Sequence, residues 1–211
     1  MSADLHTSGE QDRAPSKALV AGVLIGGRSR RFGRPKALLR RSDGTSFVEH
    51  VVRMARAVAG EVVLLGDGPT PLSMQSMRVL PDACAHAGPL SGLCTLLEYA
   101  GKRLALLLAC DMPNLRSTLL WKLYAHVDPT QAVVTFGRSD APRVFHACCA
   151  IYSPRTLGVV RKSLADSELR MQSLLARLPI VSLVPTATEA FQLSNVNTPS
   201  ELVKLNRVQL P

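Results

Sequence analysis

Short continuous apolar runs alternate along this chain with stretches in which apolar residues return every third or fourth position. The runs predict strands and the stretches predict helices. Leu19–Ile25 is the first predicted strand. A helix follows at Phe47–Ala59, with Phe47, Val48, Val51, Val52, Ala55 and Val58 on one face, Ser46 and Glu49 at capping-box spacing, and Gly60 as its stop. Glu61–Leu65 is a strand ending at Gly66-Asp67-Gly68, and Arg78–Leu80 a short one ending at Pro81-Asp82. Gly88-Pro89-Leu90 opens a helix to about Tyr99, with Pro89 in the tolerated first turn. Leu104–Ala109 is almost wholly apolar, as expected of a central strand covered on both faces. It ends in Cys110-Asp111-Met112-Pro113, and the next helix starts near Ser117 with Leu119, Leu120, Leu123 and Tyr124.

The second half predicts strands at Ala132–Phe136 and Val144–Tyr152, a helix from Ser153-Pro154, a helix over Glu168–Leu178 and a strand at Ile180–Val184. Thr198-Pro199-Ser200-Glu201 is a capping signature for the last helix. Strands alternating with helices predict a single-domain, Rossmann-like three-layer α/β/α sandwich with a mostly parallel sheet. Residues 18–211 are expected to form it, and the polar, mixed-charge residues 1–17 a disordered lead-in.

Composition narrows the class of partner. Of 211 residues, 46% are hydrophobic, enough for one sizeable core. Lys and Arg outnumber Asp and Glu by 25 to 16, a net charge of +9, which raises the question of nucleic acid. Aromatic residues are only 4%, which argues against stacking platforms for single strands, and small anions explain the same charge. The five cysteines, Cys84, Cys94, Cys110, Cys148 and Cys149, form no zinc spacing and read as reduced thiols of a cytoplasmic protein. The N-terminal residues lack the apolar core of a signal peptide, and no apolar stretch is long enough to span a bilayer. Neither nucleic acid nor membrane is therefore expected as a partner.

The chemistry concentrates where the first predicted strand ends. Leu24-Ile25-Gly26-Gly27-Arg28-Ser29-Arg30-Arg31-Phe32-Gly33-Arg34-Pro35-Lys36 places two glycines before a run of basic residues that continues to Arg40 and Arg41, with no acid among them. Glycines at a strand end let an anion approach the backbone, and successive free N–H groups form an anion-binding concavity. Arg and Lys supply countercharge. The spacing is that of neither a Walker A loop nor a dinucleotide fingerprint. Other predicted strands also end in candidate ligand groups, Gly66-Asp67, Asp82 and Cys110-Asp111, and in an open parallel sheet ligands bind at the carboxyl ends of strands. Asp111 reads as a Mg²⁺ ligand beside nucleotide phosphates, or alternatively as a cap of the following helix.

The ordered motifs resemble the MobA-type molybdenum cofactor guanylyltransferase family. Leu24, Gly26, Gly27, Ser29, Arg31, Gly33 and Lys36 fall in register with Leu-Ala-Gly-Gly/Ala-x-Ser-x-Arg-Met-Gly-x-x-Lys. Asp82 with Gly88-Pro89-Leu90-Ser91-Gly92 matches Asp…Gly-Pro-Leu-Ala-Gly, and Cys110-Asp111-Met112-Pro113 matches Cys-Asp-Met-Pro. Asn195-Val196-Asn197-Thr198-Pro199-Ser200-Glu201-Leu202 matches Asn-Val-Asn-Thr-Pro-Glu-Glu/Asp-Leu. Ile25 and Phe32 depart from the usual Ala and Met, and Leu65 stands where some members carry an Asn nucleotide contact.

The resemblance implies the fold of nucleotide-diphospho-sugar transferases and transfer of GMP from GTP to molybdopterin, releasing pyrophosphate with Mg²⁺ as cofactor. Lys36 and Arg31 would offset phosphate charge, and Asp111 would hold the metal. Leu24, Ile25, Gly26 and Gly27 would line the phosphate loop. Asp82, Gly88, Pro89 and Leu90 would border the nucleoside. Asn195 and Asn197 would face the pterin, or equally serve turn and cap chemistry before Pro199. Cofactor-delivery proteins or molybdoenzymes are implied partners. A sister enzyme using CTP or another phosphorylated acceptor, and a silent nucleotide- or cofactor-binding protein, are the competing readings. His146, on an apolar strand, is read as a core histidine.

Overall fold

The first strand, β1 (Ser16–Leu24), sends alternate side chains to opposite faces of a sheet. Leu19, Ala21 and Val23 join one hydrophobic cluster, and Val20 joins another. The computed structural model describes residues 13–26, 35–138 and 141–208, without the side chains of 142 and 205–208. Gly27 and Arg31, with most of the basic loop, lie outside the described residues, as does most of the expected lead-in. The strand starts at Ser16, inside that lead-in, where Ser16 N–H donates to Val58 and its Oγ meets Tyr124 Oη at 2.7 Å.

The further strands are β2 (Ala59–Leu65), β3 (Val79–Leu80), β4 (Leu104–Ala109), β5 (Val133–Arg138), β6 (Ala141–Tyr152) and β7 (Ile180–Leu183). They form a seven-stranded sheet in the order β3-β2-β1-β4-β6-β5-β7. Pairing is parallel except that β6 runs antiparallel to both β4 and β5. The helices are α1 (Phe47–Arg56), α2 (Pro89–Ala100), α3 (Ser117–Ala125), α4 (Leu157–Ala165), α5 (Met171–Leu175), α6 (Ala187–Gln192) and α7 (Pro199–Val208). Side chains of α1 and α3 close one face of the sheet, and those of α2, α4 and α5 close the other. The expected three-layer sandwich is thus the observed one, and β4 is apolar throughout because both its faces are covered.

Several boundaries differ from the sequence reading. Helix α1 has the expected Ser46–Glu49 capping box but ends at Arg56, and Gly60 lies inside β2. Apolar spacing continues through Val58, which hid the boundary. Gly60 is needed there for close approach: a Cβ would sit 2.9 Å from the Ser16 carbonyl oxygen. The helix expected over Glu168–Leu178 is only Met171–Leu175. Helix α6 went unforeseen because six residues are too few to show a period, although its capping box, Thr186 with Glu189, is legible.

Candidate active site

Chain order reverses between β1 and β4, the position at which doubly wound sheets bind ligands. The last paired residues there are Leu24 and Ala109, so the turn carrying Gly26 and the turn carrying Asp111 leave the sheet side by side. Two further segments complete the site: the turn at Lys36–Leu38 and the extended stretch before α7.

That stretch is placed by its middle residue. Val196 is buried with Leu39 and Phe47, and its N–H donates to the Asp111 carbonyl at 3.0 Å. On either side of Val196, Asn195 and Asn197 both turn their amides to the Lys36–Asp111 pair. Asn195 Nδ2 donates to one Asp111 carboxylate oxygen at 2.5 Å. Lys36 Nζ donates to the other at 2.7 Å and to Asn197 Oδ1 at 2.6 Å. Asn197 also serves the helix terminus through its backbone, whose N–H donates to Glu201 at 2.6 Å. Asn197 thus combines a cap contact with its contact to Lys36, and Asn195 contacts Asp111. Asp111 does not cap a helix: α3 begins at Ser117 with Arg116 before it.

The Asp111 charge adds to the effect of burial on its neighbours. Burial first, and then Asp111, push the Cys110 and Cys148 thiols up to about 12. Among the described residues, no three His, Cys, Asp or Glu side chains group as a metal cage. A single carboxylate on the edge of a roomy cavity suits Mg²⁺, which commonly takes one or two carboxylates and completes its shell with phosphate oxygens and water.

Beside Gly26 the backbone of two loops nearly touches. A Cβ on Gly66 would lie 3.3 Å from Gly26 backbone, and one on Gly68 only 2.1 Å from the Ile25 carbonyl oxygen. This approach brings Asp67 and Asp82 beside the two glycines, although neither lines the cavity: an Asp67 oxygen lies 3.9 Å from a Cβ built on Gly26, and an Asp82 oxygen 3.8 Å from one built on Gly66. Partial desolvation and then Asp67 push the Asp82 carboxyl up, against a hydrogen bond from Ser91. Gly88, at φ 63°, starts α2, and Pro89 lines the cavity. Leu90 is fully buried in the core, so its side chain does not border a ligand. Leu65 is likewise core, and the next polar side chain, Asp67, lies beside Gly26. Ile25 is 4% exposed, its N–H donates to Leu65, and it packs into the core while also lining the cavity.

A cavity of about 600 Å³ joins Leu24, Gly26, Lys36, Asp111, Asn195 and Asn197, a size that suits a nucleotide-sized ligand. Its far wall was not foreseen. It comes from β6 and α5 through Phe145, His146, Cys148 and Gln172, with Arg138 from β5. Gln172 pairs with both the N–H and the carbonyl of Phe145, at 3.1 and 2.8 Å, which fixes α5 against β6. His146 is half-buried on this wall rather than in the core. No motif marks these residues, since a strand with one face on a cavity mixes polar and apolar positions.

Fold and site together define an α/β nucleotidyltransferase. More particularly, residues 21–181 match the MobA-like NTP transferase domain, and the chain belongs to that family. A Mycobacterium marinum protein described as "Probable molybdenum cofactor guanylyltransferase" is 34% identical, covering 92% of this chain and 96% of the relative. A Flavobacterium johnsoniae protein of the same description is 27% identical, covering 90% and 97%. The crystal structure of molybdopterin-guanine dinucleotide biosynthesis protein A from Archaeoglobus fulgidus superposes with a TM-score of 0.73 at 18% identity, over 90% of this chain and 97% of that one.

Proposed function

We propose that this protein transfers GMP from GTP to the terminal phosphate of molybdopterin. The acceptor oxygen attacks the α-phosphorus, the bond to the bridging oxygen breaks, and pyrophosphate leaves with its electron pair. The observation that carries this reading is the Lys36–Asp111 contact of 2.7 Å, set beside Gly26 at the switch point of a chain from the MobA-like family. Such transfers need little covalent help from protein; positioning and charge stabilisation dominate.

Lys36 binds phosphate oxygens as a point charge and stabilises charge developing on the departing pyrophosphate. Asn197 holds the ammonium in place, and Asn195 orients the carboxylate of Asp111. Asp111 is the residue that would hold Mg²⁺, which when bound neutralises phosphate charge. Gly27 and Arg31 extend the phosphate loop in this reading. Asp82 and Asp67 accept from the donor edge of guanine, which presents N1–H and a 2-amino group. The β6 wall and the two asparagines border the acceptor. The five free thiols suit a reducing compartment, and we place the reaction in the cytoplasm, with molybdoenzymes or delivery proteins receiving the product. No helix among the described residues is long and apolar enough to cross a membrane.

The test is release of pyrophosphate from GTP that requires molybdopterin and Mg²⁺ together. Release that is independent of molybdopterin, or absent with both supplied, would refute the reading.

A further inference from the structure

Lys36 and Asp111 both lie beyond the last paired residues of their strands, so sheet register alone does not set their separation. Two side chains that line no part of the cavity bridge the segments that carry them. Arg41 follows Lys36 by five residues, and its backbone is fixed by a hydrogen bond from its N–H to the Thr45 carbonyl at 3.0 Å. Its guanidinium donates to the carbonyl of Pro113, two residues beyond Asp111, at 2.7 Å. The same guanidinium nitrogen lies 2.5 Å from His50 Nδ1.

His50 sits on α1, 5% exposed, with Nε2 2.9 Å from the Leu115 carbonyl oxygen. A carbonyl only accepts, so Nε2 carries the proton and Nδ1 is left to accept from Arg41. Arg53, on the same helix, approaches Nδ1 at 3.4 Å, and two neighbouring cations favour a neutral ring. Helix α1 is itself anchored by its capping box and by Phe47 N–H donating to Leu39. The loop after β4 is therefore held at two carbonyls, Leu115 by His50 of α1 and Pro113 by Arg41, and the Lys36 segment is tied to the same point through Arg41.

We propose that Arg41 and His50 are positioning residues: they hold the Lys36 turn and the Asp111 loop at the separation where ammonium and carboxylate meet. This rests on the reading of that pair as the phosphate and metal site. Outer partners that orient a metal-binding carboxylate are commonly worth about 10–100-fold in affinity or activity.

Three substitutions test it. His50→Gln keeps a donor and an acceptor on one planar amide; His50→Phe keeps the bulk and removes both; Arg41→Met keeps the stem and removes the donors. Expected for His50→Phe and Arg41→Met is a kcat loss of about 10-fold or more, a higher Mg²⁺ requirement and a GTP KM changed by less than about threefold, with His50→Gln near wild type. Hydrogen exchange of peptides 36–41 and 110–116 gives a readout independent of activity. Exchange should quicken in both peptides for Phe and Met, and stay near wild type for Gln. Should His50→Phe not fold, Arg41→Met decides. Unchanged exchange, or equal losses for Gln and Phe, overturns the positioning role. A wild-type protein without GMP transfer overturns the functional reading instead, and the exchange data still decide the clamp.

Discussion

The Lys36 ammonium and the Asp111 carboxylate meet at 2.7 Å and are each held by one asparagine of the same tripeptide, Asn197 and Asn195. The cation that would bind phosphate and the anion that would bind metal are thus held against each other.

Lys36→Ala removes charge that grows in importance as pyrophosphate departs. It should lower the transfer rate by on the order of 10²–10³ while the protein stays folded. Single-turnover rates with circular dichroism as a folding control check this. Near wild-type turnover would take Lys36 out of the chemistry.

Asp111→Asn preserves shape and removes the charge that Lys36 answers. Transfer should collapse, and GTP binding in Mg²⁺ should weaken. Binding of GTP without metal should hold or tighten, because Lys36 no longer faces a carboxylate. Calorimetric titration with and without Mg²⁺ separates the two effects. Normal turnover would leave Asp111 a mere anchor for Asn195 and Val196.

His50 gives stability a pH dependence. Burial first, then Arg41 and Arg53 against the opposing Leu115 hydrogen bond and Asp43, push its pKa from 6.5 down to about 4. A depressed histidine contributes fully above the unfolded value, and its contribution is lost as pH falls from about 6.5 towards 4. The loss amounts to about 3 kcal/mol. Urea unfolding should show wild type losing about that much stability relative to His50→Gln from pH 7 to pH 4. Parallel pH curves would contradict it.

Burial leads the causes that push Cys94 up to about 11 and Cys110, Cys148 and Cys149 up to about 12, while Cys84 is exposed. Alkylation of the native protein near neutral pH should therefore mark Cys84 quickly, the half-buried cavity thiol Cys148 more slowly, and Cys94, Cys110 and Cys149 only after unfolding. Fast modification of Cys110 or Cys149 would show that the sheet opens at this edge.

Much of this was legible from local chemistry. β4 read as a both-faces strand because its run has no polar break, and α1 because its capping box and apolar stripe agree. The motif residues Gly26, Asp82 and Asp111 were legible as strand ends, and their convergence follows from parallel pairing. What escaped depends on partners far along the chain. Gly68 is set by the Ile25 carbonyl, His146 by a cavity, and Arg41 by the Pro113 carbonyl 72 residues away. Leu65, where some family members carry an Asn, is core, and the polar side chain that follows it beside Gly26 is Asp67.

Guanylyl transfer stands or falls on the choice of base. Asp82 and Asp67 lie beside the Gly26 and Gly66 turns, and in the proposed reading their acceptors would meet the two donors of guanine. Wild-type protein, molybdopterin and Mg²⁺ should be given equal GTP, CTP and ATP, and the dinucleotide products separated by mass. The guanine dinucleotide is expected as the main product, with the cytosine and adenine forms minor, and it should be lost in Asp111→Asn. A cytosine dinucleotide as the main product, or no dinucleotide at all, would contradict guanylyl transfer.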